Sequence, residues 1–187
     1  EVIVSANEEG GETNISTGWH AIEFLLWGQD LSADGPGSRP VTDYTTDATA
    51  QRRGTYLGLL ADQLVADLRS VAAEWEDDGA YRTEFLADPT DAVQKLMRGI
   101  GALSTGELAG ERMAVAFETK DQEDEHSCFS DNTSADVRNN VLGVKVVYLA
   151  EGMDGPSVSS LVAAVDPELD ATLRDQIDQS LALVDAF

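Results

Sequence analysis

The sequence predicts an all-α protein, and three observations carry that prediction. Apolar residues recur at spacings of three and four along most of the longer segments. Helix-starting residues precede several of those segments, and stretches rich in Gly and Pro separate them. Hydrophobic residues make up 42 % of 187 residues, which supports one well-packed domain or two small helical bundles and argues against a disordered chain.

Taken in order, Thr17 to Leu31 reads as a short helix, apolar on most faces through Trp19, Ile22, Phe24, Leu25, Leu26 and Trp27. Its two tryptophans are expected in the core. A loop follows from Ser32 to Tyr44, marked by Gly35-Pro36-Gly37 and Arg39-Pro40. The clearest helix runs from about Asp47 to Glu76, with Leu57, Leu60, Leu64, Leu68, Val71 and Trp75 on one stripe, and Asp77-Asp78-Gly79 stops it. After Tyr81 to Leu86, Asp88-Pro89 supplies an N-cap followed by a proline at the first helical position. Val93, Leu96, Met97, Ile100 and Leu103 mark the face of the helix so begun, and glycines at 99, 101, 106 and 110 weaken its second half. Glu111 to Thr119 fits a helix or a short strand. Ser134 to Glu151 returns to helical spacing through Val137, Val141, Val144 and Tyr148. A loop around Gly152 to Ser160 precedes a last helix, Pro167 to Val184, carrying Leu169, Leu173, Ile177, Leu181 and Val184.

Charge narrows the function classes. Thirty-five acidic residues against twelve basic ones give a formal net charge of −23. That field repels phosphate backbones and anionic membrane surfaces, so no nucleic-acid partner is expected, while cations and basic partners are attracted. A solvated acidic surface that keeps the protein soluble is the plainer reading of the same charge. One cysteine, Cys128, excludes an internal disulfide, and no apolar stretch reaches the length of a membrane span. The chain begins at Glu1 rather than Met and stops at Phe187 on an amphipathic run, and both ends read as cut.

Two short elements carry candidate chemistry. In Gly18-Trp19-His20-Ala21-Ile22-Glu23, His20 and Glu23 lie three apart, so on a helix their side chains share a face and can meet a common ion. Imidazole plus carboxylate suits Zn, Fe, Cu or Mn. A His–Glu hydrogen bond that satisfies two polar groups in an apolar segment is the competing reading. Downstream, Glu123 stands three residues before His126, the other histidine, within Lys120 to Asp131. If that stretch is helical it presents the same pair in reverse order, and helical bundles build metal sites from such inward-pointing ligands. Otherwise it is an acidic solvated loop, with Ser130 or Asp131 capping the next helix. Arg39 and Arg112 could orient a carboxylate or bind an anionic ligand, or form surface salt bridges. Cys128 fits a soft ligand near His126 or a small buried side chain. Asn14-Ile15-Ser16 and Asn132-Thr133-Ser134 match the glycosylation pattern, which is frequent by chance. No H-E-x-x-H, G-x-S-x-G, P-loop or dinucleotide fingerprint occurs.

Several blocks in order resemble the imelysin family of insulin-cleaving metalloprotease and iron-regulated protein A-like proteins. They are Gly10-Gly11-Glu12-Thr13-Asn14, the run from Gly18 to Asp30 with its G-x-H-x-x-E pattern, Gly35-Pro36-Gly37-Ser38-Arg39-Pro40 and Thr42-Asp43-Tyr44. The resemblance resumes at Gly110-Glu111-Arg112-Met113 and from Asp121 to Asn132. It implies helical bundles in a two-bundle architecture, with residues 1–187 covering part of it and lacking the first and last helices. It also implies a bacterial protein of the periplasm or cell surface, with a lipid signal on a missing N-terminal segment as the possible anchor, often made under iron limitation.

On that resemblance, the leading expectation is capture of iron or another divalent metal, or of a small iron-containing ligand. His20 and Glu23 would be direct ligands, completed by Glu123, His126 and Asp124. Ser127 falls in the family's second signature, and Arg39 or Arg112 would shape the anionic side of the site. Two alternatives stand beside it. A zinc-dependent peptidase would need an open metal position and a base among Glu23, Glu123 and Glu125. An interaction module without metal would hold a partner between bundles.

Overall fold

The computed structural model describes Ser5, Asn7 and residues 15–186. Gly10 to Asn14, and with Asn14 the first glycosylation-like triplet, lie outside the described residues. Among those described, the secondary structure is helical throughout, with no strand. Two compact units emerge, one formed by residues up to Glu84 together with Ser127–Asp131, the other by Phe85–His126 and Asn132 onward.

In the first unit, α1 spans Trp19–Trp27, α2 Thr42–Thr45 and α3 Ala50–Glu74. Helix α1 is shorter than the pattern suggested because glycines bound it. Gly18 and Gly28 sit at positive φ, 86° and 79°, where a side chain would be strained. Helix α3 packs on α1 and α2, and Leu60 is its one fully buried large side chain. The far half of its stripe faces outward, with Leu68, Val71 and Trp75 all exposed. The tryptophans of α1 depart from expectation: Trp19 is 65 % exposed and Trp27 37 %. The chain passes to the second unit within α4, Ala80–Leu86.

The second unit begins with α5, Pro89–Ala102, where Asp88 accepts the amide hydrogens of Thr90 and Asp91 as the sequence predicted. It runs on through a π-helical segment, Leu103–Ala114, into α6, Val115–Thr119. The ambiguity over Glu111 to Thr119 thus resolves to helix. The wider coil begins in the glycine-rich stretch, and the Ser104 and Thr105 hydroxyls donate to the Ile100 and Gly101 carbonyls at the junction. Helix α7, Thr133–Leu149, buries Val137, Val141, Val144 and Tyr148, the four residues that the spacing placed on one face. A short α8, Val158–Val165, occupies part of the expected loop and its sequel, and α9 spans Pro167–Val184. Leu108, Val137, Val141 and Val184 form the core of this unit, with Leu181 packed against them.

One buried polar network ties α7, α8 and α9 together. The Tyr148 hydroxyl (2.8 Å) and the Ser159 hydroxyl (2.6 Å) both donate to Asp170 Oδ1. Burial first, and then the Asp170 carboxylate, push the Tyr148 phenol up to about 12. Asp170 is held below the usual carboxylate range, chiefly by the Ser159 hydroxyl, then by Tyr148 and Arg174.

Candidate functional site

The H-x-x-E pair is assembled by α1 and by the Ser127–Asp131 segment, both in the first unit. One helical turn brings His20 Nδ1 to 2.8 Å from Glu23 Oε2. Glu23 is only 9 % exposed, whereas the His20 side chain is 45 % exposed. A buried carboxylate is costly unless it is fully hydrogen-bonded, and Ser130 meets that demand. Its backbone N–H donates to Glu23 Oε1 at 2.9 Å, and its hydroxyl donates to the same oxygen at 2.6 Å. Ser130 therefore serves Glu23 rather than capping α7, whose N-cap is Asn132 without a side-chain capping bond.

The far end of α1 is fastened by the loop that follows. The last carbonyls of a helix lack intrahelical partners, and here outside donors reach them: the Arg39 amide donates to Trp27 O, the Tyr44 hydroxyl to Leu25 O, and the Arg39 guanidinium Nη2 to Phe24 O, which also accepts the Gly28 cap amide. Arg39 also forms a 2.9 Å ion pair with Asp43 and lies over the Phe24 ring. Arg53 Nη1 donates to the Asp43 carbonyl at 2.6 Å. Gly37 is packed so tightly that a Cβ there would lie 2.7 Å from Trp27 O and 2.9 Å from Gly28 O. Its amide donates to Phe129 O, and the Phe129 ring meets Phe24 edge-on at 5.1 Å. Asp30 is 5 % exposed and accepts the Ser32 amide. Asp131 shares a side-chain hydrogen bond with Asp30, and its carboxyl is raised above the usual range, first by desolvation and then by that neighbouring carboxyl.

The second signature lies differently from its expected geometry. The E-x-x-H spacing needed a helix to put Glu123 and His126 on one face. The chain instead forms a single 3₁₀ turn, Gln122–Asp124, and Glu125 is extended at φ −71°, ψ 145°. Asp121 caps that turn by accepting the Glu123 amide. Glu123 and Asp124 are exposed, His126 and Cys128 are half-buried, and Ser127 is 7 % exposed. Glu125 accepts the Thr133 hydroxyl at 3.2 Å. Arg112, at the end of the π-helical segment, donates to Asn140 Oδ1 at 2.8 Å and lies 3.4 Å from Glu107.

Among the predicted site residues, His20 and Glu23 are thus in direct contact, and Arg39 braces the helix that bears them. Glu123, Asp124, His126 and Arg112 belong to the second unit, while Ser127 lies in the first. Ser130 and Tyr44 join the site without having been singled out from the sequence for these roles. Both stood inside the resemblance blocks, but nothing in their spacing shows contacts spanning 107 and 19 residues. Among the described residues, no group of three or more His, Cys, Asp and Glu side chains is arranged to hold a metal ion. As a donor set, the pair suits a borderline metal in type, imidazole beside carboxylate. It supplies at most two donors, and both Glu23 oxygens are already engaged, Oε1 by Ser130 and Oε2 by the His20 ring.

Comparison with known proteins agrees with the motif blocks. The family profile described as Imelysin matches residues 2–187. Over 176 residues the chain is 28 % identical to the iron-regulated protein A of Synechococcus elongatus, covering 88 % of this chain and 44 % of that protein. The chain accordingly spans less than half the length of that curated relative. A profile match over nearly every residue settles its affiliation: this chain belongs to the imelysin family.

Proposed function

We propose that this chain carries the metal-capturing part of an extracytoplasmic imelysin-family protein that takes up iron, with His20 as its principal donor. The contact between His20 Nδ1 and the buried Glu23 carboxylate is the observation that carries the reading. A carboxylate on one imidazole nitrogen fixes the ring and raises the basicity of the other nitrogen, the arrangement common behind metal-binding histidines. The acidic chain draws cations toward it. The name of the cyanobacterial relative supports iron as the metal. Because the pair supplies at most two donors, the reading favours iron arriving with small chelating ligands of its own. Glu123, His126 and Asp124 remain candidate contributors, and zinc remains the alternative ion. Peptide hydrolysis is the weaker reading, since it needs a base near the metal and Glu23 has both oxygens engaged.

Metal content tests the proposal. The full-length protein, purified without added metal, is expected to hold near-stoichiometric iron by elemental mass spectrometry, and His20→Ala is expected to lose it. An empty wild type, even after soaking with ferrous iron and zinc, overturns the proposal and leaves the pair a structural hydrogen bond.

A further inference from the structure

We infer that a cavity between the first turns of α3 and α1 is a binding site for a small organic carboxylate with an aliphatic body. Arg52 meets the carboxylate, and the wall formed by Tyr56 and Leu59 takes the chain. The inference does not rest on metal capture by His20.

Helical spacing builds the wall. Arg52, Tyr56 and Leu59 stand at i, i+4 and i+7 on α3, one stripe of that helix. Leu25 of α1 and Ala48 complete the apolar walls of a cavity of about 970 Å³, and all of these residues belong to the first unit. The Tyr56 hydroxyl donates to the Ser16 carbonyl at 2.6 Å, so this side chain offers the cavity its ring. From Arg52 to Leu59 the helix rises about 10 Å, which sets a charged end and an apolar end along one trough. Leu25 follows Glu23 by two residues, about 200° around α1, so the cavity lies on the other side of that helix from the carboxylate.

Charge selects the ligand. The chain has 35 acidic residues against 12 basic ones, yet the described residues that line the cavity include Arg52 and Arg53 and no Asp or Glu. Arg53 already donates to the Asp43 carbonyl and lies 3.7 Å from the Asp43 carboxylate. Arg52 is exposed and has no hydrogen bond or ion pair among the described residues. At physiological salt the repulsion from distant carboxylates is screened over about 8 Å, so the nearby guanidinium groups set the local field. A guanidinium can hold a carboxylate by two parallel N–H bonds. The apolar walls beside it favour a hydrocarbon body, which inorganic phosphate lacks.

Isothermal titration calorimetry of the full-length protein with butyrate, hexanoate, octanoate and inorganic phosphate tests the site at low ionic strength. Affinity is expected to rise with chain length, by up to about fourfold per buried methylene, and octanoate is expected to bind more tightly than phosphate. Arg52→Gln should weaken octanoate about fivefold or more. Arg52→Lys, which keeps the charge without the fork, should fall between wild type and Arg52→Gln. Leu59→Asn should flatten the chain-length dependence while butyrate keeps its wild-type affinity. Both side chains are exposed, circular dichroism checks each fold, and either position decides the matter if the variant at the other fails to fold. Octanoate that does not bind wild type, or binds no more tightly than phosphate, overturns the inference. So does octanoate binding that Arg52→Gln leaves unchanged, or a chain-length dependence that survives Leu59→Asn. Either result places the ligand elsewhere, as in the apolar cavity lined by Met97, Ile100 and Leu173 in the second unit.

Discussion

A carboxylate that is 9 % exposed in a chain of net charge −23 must be neutralised locally, and Glu23 takes two hydrogen bonds from Ser130 and contacts the His20 ring. The same logic recurs at Asp170, whose Oδ1 takes the hydroxyls of Tyr148 and Ser159. Tyr148→Phe removes one of those donors and leaves Ser159 in place. It should cost about 1 kcal/mol by urea denaturation at neutral pH. The pH dependence has a definite sign. The phenol is raised in the folded state, so its neutral form is favoured by folding. The stability it contributes is complete below the unfolded value near pH 10 and is lost as pH rises toward about 12. The stability gap between wild type and Tyr148→Phe should therefore shrink across that interval, and a constant gap would contradict the assignment. Asp170 is depressed, so its share is present above the ordinary carboxylate range and is lost as pH falls through the depressed value.

At the scale of elements, helix ends account for much of what positions the site. Helix α1 is bounded by two glycines at positive φ, and its carbonyls are closed by Arg39 and Tyr44. Gly37→Ala would press a Cβ onto the Trp27 and Gly28 carbonyls. It should destabilise the protein by about 1–3 kcal/mol, measured by thermal or urea unfolding. In the second unit, Asp88→Ala should cost about 1 kcal/mol because two amide hydrogens lose their acceptor, whereas Asp88→Asn should be nearly silent. These elements also show what was legible. The α7 stripe and the Asp88-Pro89 start follow from local rules and are present as predicted. The π-helical segment and α8 were missed, because the glycines and serines that weaken an α-helical pattern do not say what replaces it. The helix hoped for around His126 failed for a related reason, since Asp121 captures the Glu123 amide and closes a single turn.

For the whole molecule, charge is the dominant fact. An excess of acidic residues, 35 against 12, repels itself in the compact state. Screening should relieve that repulsion, so the melting temperature should rise as sodium chloride increases from about 10 mM to about 500 mM. A flat or falling trend would mean that the paired charges, such as Arg39 with Asp43 and Lys145 with Asp178, outweigh the repulsion. Among the described residues, no helix is long and apolar enough to cross a membrane.

By itself, the sequence determined the helical class, the family and the pairing of His20 with Glu23, because helical periodicity, capping and an i, i+3 contact are all local. Tertiary structure decided what that pair is. It brought Ser130 across 107 residues onto Glu23 and turned Arg39 inward to brace α1. It also left Trp19 exposed where an apolar pattern suggested burial. Spacing along a chain fixes which side chains share a helical face, but the partner waiting opposite that face is set by distant segments whose approach no local rule encodes.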